Sequence, residues 1–302
     1  MDRMPDFIII GAMKCATSTL HDQLARQIDI FMTEPKEPYF FSNDEIWAKG
    51  LGWYSRLFDN AGHGDLCGES STHYTKLPTY PHTIKRMRAH IPNAKLIYVI
   101  RHPIDRLISH YIHDWSEKKI KSTIDQAISL HSNLIDYSKY AMQIRPFLES
   151  YGPETILLVF FEHLMSEPQT ELERITRFIG YSEKPQWHRD EVSNISSQRL
   201  RRSPLRDAIV WNPVSTYIRR AFIPQSLRDW VKSLWQMKKR PQLTQRTIKE
   251  LEKIFDTDLA QLSQWIDVDL TCQTFKEVAQ LSRPNWTKTA PKPQANDYNE
   301  TS

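Results

Sequence analysis

Three short runs of apolar residues, each followed by a stretch with helical spacing, organise much of this chain. The runs cover residues 7–10, 94–100 and 155–161. Because they are apolar at consecutive rather than alternating positions, they are typical of strands buried on both faces of a parallel sheet. Their alternation with helices predicts an α/β fold with a central, mostly parallel sheet flanked by helices.

The helical stretches follow the strands closely. They cover residues 18–30, 103–113 and 170–179. Pro103 suits the first turn of the second helix, and Gly180 suits the end of the third. In such sheets ligands bind beyond the carboxyl ends of the strands, so the loops that leave the strands are the first places to search for a site.

The pattern changes in the last third of the chain. A polar, arginine-rich segment at residues 193–202 precedes basic, tryptophan-containing helices predicted for residues 214–239. Within them, residues 227–240 have apolar positions at helical spacing. This favours a helix facing the core, with contact to a membrane surface or a partner as the alternative. We predict one domain over residues 1–282 and a flexible tail over residues 283–302, which are rich in Pro, Asn, Thr and Lys.

Composition narrows the class of protein. The 302 residues are 40% hydrophobic and 25% charged, which is typical of an ordered globular protein. The net charge of +4 suits an anionic ligand but does not call for nucleic acid. Three cysteines without a CxxC pair indicate neither a zinc site nor a disulfide framework, so we expect a cytoplasmic location. The start of the chain has no signal-peptide pattern, and no apolar run is long enough for a transmembrane helix.

The first strand runs into the segment GAMKCATSTL at residues 11–20, which carries one lysine and three consecutive hydroxyl side chains. A loop between a strand and a helix presents unpaired amides and the positive end of the helix dipole, both of which attract anions. The nucleotide-triphosphate pattern GxxxxGK[ST] is absent, because here the lysine precedes the hydroxyls. The segment therefore indicates a phosphate site without a metal, with simple helix capping as the alternative.

Four segments together resemble the sulfotransferases that use 3′-phosphoadenosine 5′-phosphosulfate (PAPS), particularly the branch of glycan (heparan-type) and bacterial enzymes. They are GAMKCATSTL at residues 11–20, KEPYFF at 36–41, GESSTHY at 68–74 and IRHPIDRLISHY at 100–111. The resemblance extends more weakly over residues 7–266. It implies the nucleotide-kinase-like sulfotransferase fold, PAPS as cosubstrate, 3′-phosphoadenosine 5′-phosphate (PAP) as product, and no metal.

The resemblance also assigns residues to the donor. The 5′-phosphosulfate would lie on the first loop, with Lys14 at the bridging oxygen and the sulfonate. The residues of that loop predicted to contact the donor are Lys14, Cys15, Ala16, Thr17, Ser18 and Thr19. Ala16 replaces the glycine usual in the family. Arg101 and Ser109 would hold the 3′-phosphate, since arginine forms paired bonds to phosphate oxygens. Arg199 and Arg201 would close over the same end, although their segment lacks the family's glycine and aromatic residue.

Two residues compete for the role of general base. Glu37 in KEPYFF matches the base of the glycan-type relatives, whereas His73 in GESSTHY corresponds to the choice of a histidine in the small-molecule sulfotransferases. Sulfonate transfer needs such a base to deprotonate the acceptor, and a cation to neutralise the leaving phosphate. A lysine that some glycan relatives carry after the glutamate of this segment is Ser70 here, which leaves Lys36 or His73 as the group near the sulfonate.

We therefore predict transfer of a sulfonate group from PAPS to a hydroxyl or amine of an acceptor, either a saccharide or a glycolipid. The alternatives are a lipid or small alcohol as acceptor, and a non-catalytic protein that binds nucleotides or sulfated ligands. A kinase is disfavoured by the missing GxxxxGK[ST] pattern. We expect no nucleic-acid partner, and peripheral membrane contact stays open.

Overall fold

A five-stranded parallel sheet forms the centre of the molecule. The computed structural model describes residues 3–188 and 240–293. The strands are β1 (Phe7–Gly11), β2 (Ile30–Met32), β3 (Leu66–Ser70), β4 (Lys95–Ile100) and β5 (Ile156–Phe160). Their order is β2-β3-β1-β4-β5, and all four neighbouring pairs are parallel. The predicted fold class is confirmed.

Burial explains why two of the apolar runs form the central strands β1 and β4. All five residues of β1 are buried, and in β4 only Lys95 is partly exposed. A strand covered on both faces has no solvent side, so apolar side chains are favourable at every position. The two strands lie side by side, with Phe7 opposite Lys95 and Ile9 opposite Ile97.

Twelve helices surround this sheet in the described part of the chain. They are α1 (Thr17–Leu24), α2 (Asp44–Trp47), α3 (Leu51–Ser55), α4 (Thr83–His90), α5 (Pro103–Ser116), α6 (Ile124–Leu130), α7 (Asn133–Asp136), α8 (Tyr140–Tyr151), α9 (Phe161–Ser166), α10 (Pro168–Ile179), α11 (Gln245–Ile266) and α12 (Phe275–Leu281). Short 3₁₀ turns cover Arg56–Phe58 and Pro153–Thr155.

The first predicted helix is too long. It was expected over residues 18–30, but α1 ends at Leu24, and Ile28 is 75% exposed instead of facing the core. Asp29 has a left-handed backbone (φ 58°), which turns the chain so that Ile30 begins β2. Three residues of strand are too few to show a period of their own.

Strand β3 also escaped prediction, since its sequence LCGES has no apolar run. Gly68 is nevertheless buried, and a Cβ there would lie 2.3 Å from the ring of Phe7 and 2.7 Å from the sulfur of Met32. Close packing between neighbouring strands, rather than local hydrophobicity, places β3 beside β1.

The remaining boundaries shift by a few residues. Phe161, predicted as the end of a strand, begins α9, while α10 starts at Pro168 rather than at Thr170. Gly180 ends α10 in the left-handed conformation (φ 86°), as its position suggested.

The strand order creates a topological switch point between β1 and β4. From β1 the chain continues to β2 and β3 on one side of the sheet, and from β3 it crosses to β4 and β5 on the other. At such a point the two loops leave in opposite directions and open a crevice, which is the usual ligand site in parallel sheets. The segments GAMKCATSTL and IRHPIDRLISHY both leave the sheet here.

Residues 283–293, the first part of the predicted tail, include several residues that contact the rest of the described structure. Trp286 donates its indole N–H to the carbonyl of Ile156 (2.6 Å), Thr287 N–H donates to the carbonyl of Trp265 (2.7 Å), and Ala290 is buried. These contacts attach the segment to β5 and α11. Residues 294–302 lie outside the described residues, as do the arginine-rich segment at 193–202 and the helices predicted over 214–239.

The longest described helix does not have the character of a membrane span. Alpha-helix α11 has 22 residues, of which Leu251, Phe255, Leu259 and Leu262 are buried against the rest of the protein. No helix within residues 3–188 and 240–293 combines the length and apolar character needed to cross a bilayer.

Candidate active site

The loop between β1 and α1 presents backbone amides at the switch point. Lys14 and Ala16 both have left-handed backbones (φ 74° and 62°). The first hydrogen bond of α1 runs from Leu20 N–H to Ala16 O (3.0 Å), and no side chain caps the helix start. The amides of residues 17–19 therefore have no acceptor within the helix. Together with the helix dipole, they form a place where an anion is favoured.

The side chains of this loop divide between core and crevice. Lys14, Ser18 and Thr19 are half-buried, and Thr17 is 5% exposed. Cys15 lies fully in the core, where burial raises the pKa of its thiol to about 12, and its amide donates to Ala12 O (3.2 Å). Among the predicted donor contacts, Cys15 has a buried side chain and an amide that is bonded within the loop.

Glu37 lies in the loop after β2 and is held by three donors. One carboxylate oxygen accepts from the phenol of Tyr39 through a short hydrogen bond and from Thr72 Oγ1 at 3.3 Å. The other oxygen lies 3.4 Å from Lys36 Nζ. With 24% of its side chain exposed, Glu37 has defined orientation and access to solvent.

Lys36 joins this carboxylate to the first turn of α1. Its Nζ donates to Ser18 Oγ at 2.7 Å, so Glu37 and the start of α1 are separated by a single ammonium group. Burial lowers the pKa of Lys36, and the attraction of Glu37 opposes this effect. The predicted base and the predicted anion loop therefore belong to one cluster.

His73 lies in the same cluster but is enclosed by aromatic rings. It stacks on Tyr39 (3.8 Å between ring centroids, 20° between planes) and on Tyr80 (4.6 Å, 15°). Its pKa is lowered to about 3, first by burial and then by the charges of Lys76 and Lys119. The Nδ1 atom is buried, with no hydrogen-bond partner among the described residues. A group with this pKa is a weak proton acceptor near neutral pH.

The rest of GESSTHY has structural contacts. The carboxyl of Glu69 is fully buried between the phenols of Tyr54 and Tyr74, and burial raises its pKa to about 7. Ser70 Oγ lies 2.9 Å from Nδ1 of His21, while Ser71 Oγ accepts from the amide of Tyr39 (3.1 Å). These bonds connect β3 to α1 and to the Glu37 loop.

Arg101 follows β4 directly and is held through its backbone. The phenol of Tyr140 accepts from Arg101 N–H (3.3 Å) and donates to its carbonyl (2.6 Å). The guanidinium lies over the ring of Phe161, 4.5 Å from its centroid. Because β4 pairs with β1, Arg101 leaves the sheet at the strand next to the β1–α1 loop.

The helix that follows, α5, carries Ser109 and a buried arginine that the sequence did not reveal as important. Ser109 is 3% exposed and Arg106, three residues earlier, is fully buried. Arg106 donates to Ser138 Oγ and, at 2.8 Å, to the carbonyl of Leu134. It thereby fixes α5 against α7 and the turn before α8. Its charge gave no sign of burial, since most arginines are exposed.

A family model described as the sulfotransferase domain matches residues 4–265. The chain belongs to the sulfotransferase family. The match includes all four segments on which the sequence-based resemblance rested, so that interpretation is confirmed.

Related proteins are known in animals. This sulfotransferase is 30% identical over 187 residues to heparan sulfate glucosamine 3-O-sulfotransferase 3A1 of Mus musculus. The aligned region covers 59% of this chain and 46% of the mouse protein. The chain is 26% identical over 218 residues to the mouse bifunctional heparan sulfate N-deacetylase/N-sulfotransferase 3, covering 66% and 24%. The chain thus spans less than half the length of these curated relatives.

A solved structure supports the fold. The sulfotransferase from Alicyclobacillus acidocaldarius has a TM-score of 0.62 and 23% identity, and the similarity covers 89% of this chain and 98% of the other. At this level of identity the likeness concerns the fold.

The structure thus places most of the predicted site of this sulfotransferase around one crevice. The β1–α1 loop, Glu37 and His73 form a connected cluster, and Arg101 ends the neighbouring strand. Arg199 and Arg201 lie outside the described residues. Within the described ranges no group of three His, Cys, Asp or Glu side chains is arranged to hold a metal ion.

Sequence reasoning missed the groups that hold these residues in place. Tyr39 was assigned no role in the sequence analysis, yet its phenol donates a hydrogen bond to Glu37. The phenol hydroxyl of Tyr39 was the only feature of KEPYFF that could have indicated this contact. Tyr140 could not have been found, because it lies 39 residues after Arg101 and in no motif.

Proposed function

We propose that this protein transfers the sulfonate group of PAPS to a hydroxyl or amine of a saccharide acceptor, free or in a glycolipid. The observation that carries the proposal is that Glu37 and the start of α1 lie within reach of one lysine, with 2.7 Å from its Nζ to Ser18 Oγ and 3.4 Å to Glu37 Oε1. A proton acceptor beside an anion-binding loop is the arrangement that the reaction requires.

The residues present fit the two charged ends of the donor. The uncapped start of α1 and the left-handed residues Lys14 and Ala16 suit the 5′-phosphosulfate. Arg101, whose backbone is clamped by Tyr140, suits the 3′-phosphate at the neighbouring strand end. PAPS supplies the activated sulfonate, whereas the chain supplies binding and proton transfer.

In the proposed reaction the acceptor oxygen attacks sulfur as the bond between sulfur and the bridging phosphate oxygen breaks. The acceptor proton passes to Glu37, and the leaving phosphate of PAP keeps the electron pair of the broken bond. Lys14 neutralises the charge that develops on this phosphate. Tyr39 and Thr72 orient the carboxylate of Glu37 toward the acceptor.

Glu37 is preferred to His73 as the base. His73 is stacked between two phenol rings, and its lowered pKa of about 3 makes it a poor proton acceptor at neutral pH. Its ring instead supports Tyr39, which in turn holds Glu37.

The saccharide class is supported by the relatives, whose names specify heparan sulfate glucosamine or heparan sulfate. The cytoplasmic location is supported by the cysteines, since Cys15, Cys67 and Cys272 are all buried and unpaired. Both statements are proposals for this chain.

The first test is calorimetric titration of PAP into the wild type and Arg101→Ala. We expect binding that weakens at least about tenfold in the variant, because a charge-assisted contact to phosphate is lost. A folded wild type that binds no PAP would refute the donor assignment.

The second test is turnover with labelled PAPS and a panel of saccharides, glycolipids, lipids and small alcohols. Glu37→Gln should retain PAP affinity and lose about 10²–10⁴-fold in rate, the usual contribution of general base catalysis. Glu34→Gln, an exposed acid on the same loop, is the matched control.

His73→Phe keeps the ring stack and should remain active. Loss of activity in His73→Phe alone would move the base to His73, and binding without turnover on any acceptor would indicate a non-catalytic binder.

A further inference from the structure

Lys36 occupies an unusual position between the two halves of the active site. Its ammonium contacts the hydroxyl of Ser18, at the start of α1, and faces Glu37 in the loop after β2. Only 23% of its side chain is exposed. The same nitrogen thus contacts the start of α1, where the donor is proposed to bind, and lies next to Glu37, the proposed base.

The charge of Lys36 is only partly compensated by this environment. Ser18 offers a neutral oxygen at 2.7 Å, and the facing carboxylate oxygen lies at 3.4 Å, beyond the usual 2.7–2.9 Å of a strong charged hydrogen bond. That carboxylate is shared with Tyr39 and Thr72 on its other oxygen. A further anion placed beside Nζ would therefore be stabilised.

His21, the histidine beside Lys36, does not provide a second positive charge. Its pKa is lowered to about 4 by burial and by the charge of Lys36, so His21 is neutral at pH 7. Its Nδ1 atom is occupied by Ser70 Oγ at 2.9 Å. Near Ser18 and Glu37, Lys36 is the cation that the structure places in contact with both.

The path of the reaction passes through the same space. In the proposed function the phosphosulfate lies at the start of α1 and the acceptor oxygen lies beside Glu37. The transferring sulfur has to move between these two places. Lys36 Nζ contacts a residue at each end of that path, at Ser18 Oγ and Glu37 Oε1.

We propose that Lys36 is a catalytic residue that binds the non-bridging oxygens of the transferring sulfonate. This inference rests on the proposed function. Lys36 remains protonated throughout and donates its N–H groups to the sulfonate, first on the donor and then on the acceptor. Sulfur gains a bond to the acceptor oxygen and loses its bond to the phosphate oxygen, and Glu37 takes the acceptor proton.

The test compares binding of PAPS, which carries the sulfonate, with binding of PAP, which lacks it. Calorimetry without acceptor would be performed on the wild type and on Lys36→Met, which keeps most of the side-chain length and removes the charge. We expect the affinity of Lys36→Met for PAPS to fall about tenfold while its affinity for PAP changes less than about twofold. Lys36→Arg, which keeps the charge, should retain part of the preference for PAPS.

The matched control is Lys76→Met. Lys76 is another buried lysine whose ammonium senses the charge of Glu37, but it lies over the ring of Tyr137 (5.8 Å). Its removal should leave the ratio of PAPS to PAP affinity unchanged. Single-turnover rates for the two variants complete the comparison, with a fall of at least about 100-fold expected for Lys36→Met.

The outcomes separate three cases. If Lys36→Met binds PAPS and PAP as the wild type does and loses only turnover, Lys36 merely positions Glu37 and the inference is overturned. Equal weakening of both nucleotides would also overturn it, because Lys36 would then act on the phosphate. A wild type that binds neither nucleotide would instead refute the proposed function itself.

Discussion

Two glutamates in neighbouring segments differ through their surroundings. Glu37 accepts hydrogen bonds from Tyr39 and Thr72 and remains partly exposed. Glu69 is fully buried, and neither of its oxygens has a hydrogen bond of normal geometry within the described residues. Nearby hydroxyls, including those of Tyr74 and Tyr54, lower its pKa, but burial has the larger effect. A partly exposed, hydrogen-bonded carboxylate and a buried carboxyl group with a raised pKa therefore lie in neighbouring segments.

Glu69 should make the stability of the protein depend on pH. Its pKa is about 7 in the folded protein and has the ordinary value of 4.5 in the unfolded chain. The contribution of Glu69 to the unfolding free energy is therefore intact below pH 4.5 and is lost as pH rises through 7. Between pH 5 and 8.5 the wild type should lose about 2–3 kcal/mol of unfolding free energy that Glu69→Gln does not lose. Urea denaturation at both pH values measures this difference.

The comparison of variants removes the effect of other groups. Four histidines of the described residues have lowered pKa values and act in the opposite direction below pH 6.5, but they are present in both proteins: His21, His73, His102 and His110. Glu34→Gln, an exposed acid, should behave like the wild type. Parallel pH profiles for the wild type and Glu69→Gln would show that Glu69 is charged in the folded protein.

At the scale of elements, the β1–α1 loop depends on backbone conformation more than on side chains. Two left-handed residues turn the chain so that the amides at the start of α1 face the crevice. Gly11, before the loop, has no room for a side chain, since a Cβ would lie 2.0 Å from Thr75 Oγ1. The motif GAMKCATSTL therefore specifies a backbone conformation as well as a set of hydrogen-bond donors.

Ala16 is a residue at which this shape can be improved. The left-handed conformation costs a non-glycine residue about 1–2 kcal/mol, whereas glycine adds about 0.4–1 kcal/mol of entropy to the unfolded chain. Ala16→Gly should therefore raise the unfolding free energy by up to about 1 kcal/mol and keep PAP affinity. Ala16→Val, with a β-branched side chain, should lower it. Urea titration of both variants decides, and a less stable Ala16→Gly would contradict the expectation.

At the scale of the whole molecule, the C-terminal helices support the site from a distance in sequence. Asp258 of α11 accepts from the amides of Ala141 (2.9 Å) and Met142 (3.0 Å) at the start of α8. Tyr140, the first residue of α8, binds the backbone of Arg101. A carboxylate near the end of the chain thus helps to hold the arginine proposed to bind the 3′-phosphate.

Removal of this carboxylate should affect stability and donor binding together. Asp258→Ala leaves the two amides at the start of α8 without their acceptor, so we expect the unfolding free energy to fall by about 1–2 kcal/mol. PAP affinity should fall by a few-fold, because the support of Tyr140 is loosened. Denaturation and calorimetry measure the two effects, with Asp269→Ala, an exposed acid of the same part of the chain, as control. Unchanged PAP affinity in a destabilised Asp258→Ala would show that Arg101 is held without α8.

Features of the fold that have a local signal could be predicted from the amino-acid sequence. Consecutive apolar residues marked β1, β4 and β5, because strands buried on both faces need no polar positions. The β1–α1 loop and the Arg101 segment could be selected as candidate donor-binding segments because the residues of each motif are adjacent in sequence. These features were enough to predict the parallel sheet and the position of the site at its carboxyl edge.

Contacts between distant segments, in contrast, depend on how the chain folds. Lys36 contacts Ser18, His73 lies between Tyr39 and Tyr80, and β3 packs beside β1 through a buried glycine. Each of these contacts joins residues that lie apart in the sequence, and no hydrophobic pattern within one segment indicates its partner. Their burial and pKa values follow from the folded environment, since desolvation and neighbouring charges exist only once the segments have come together.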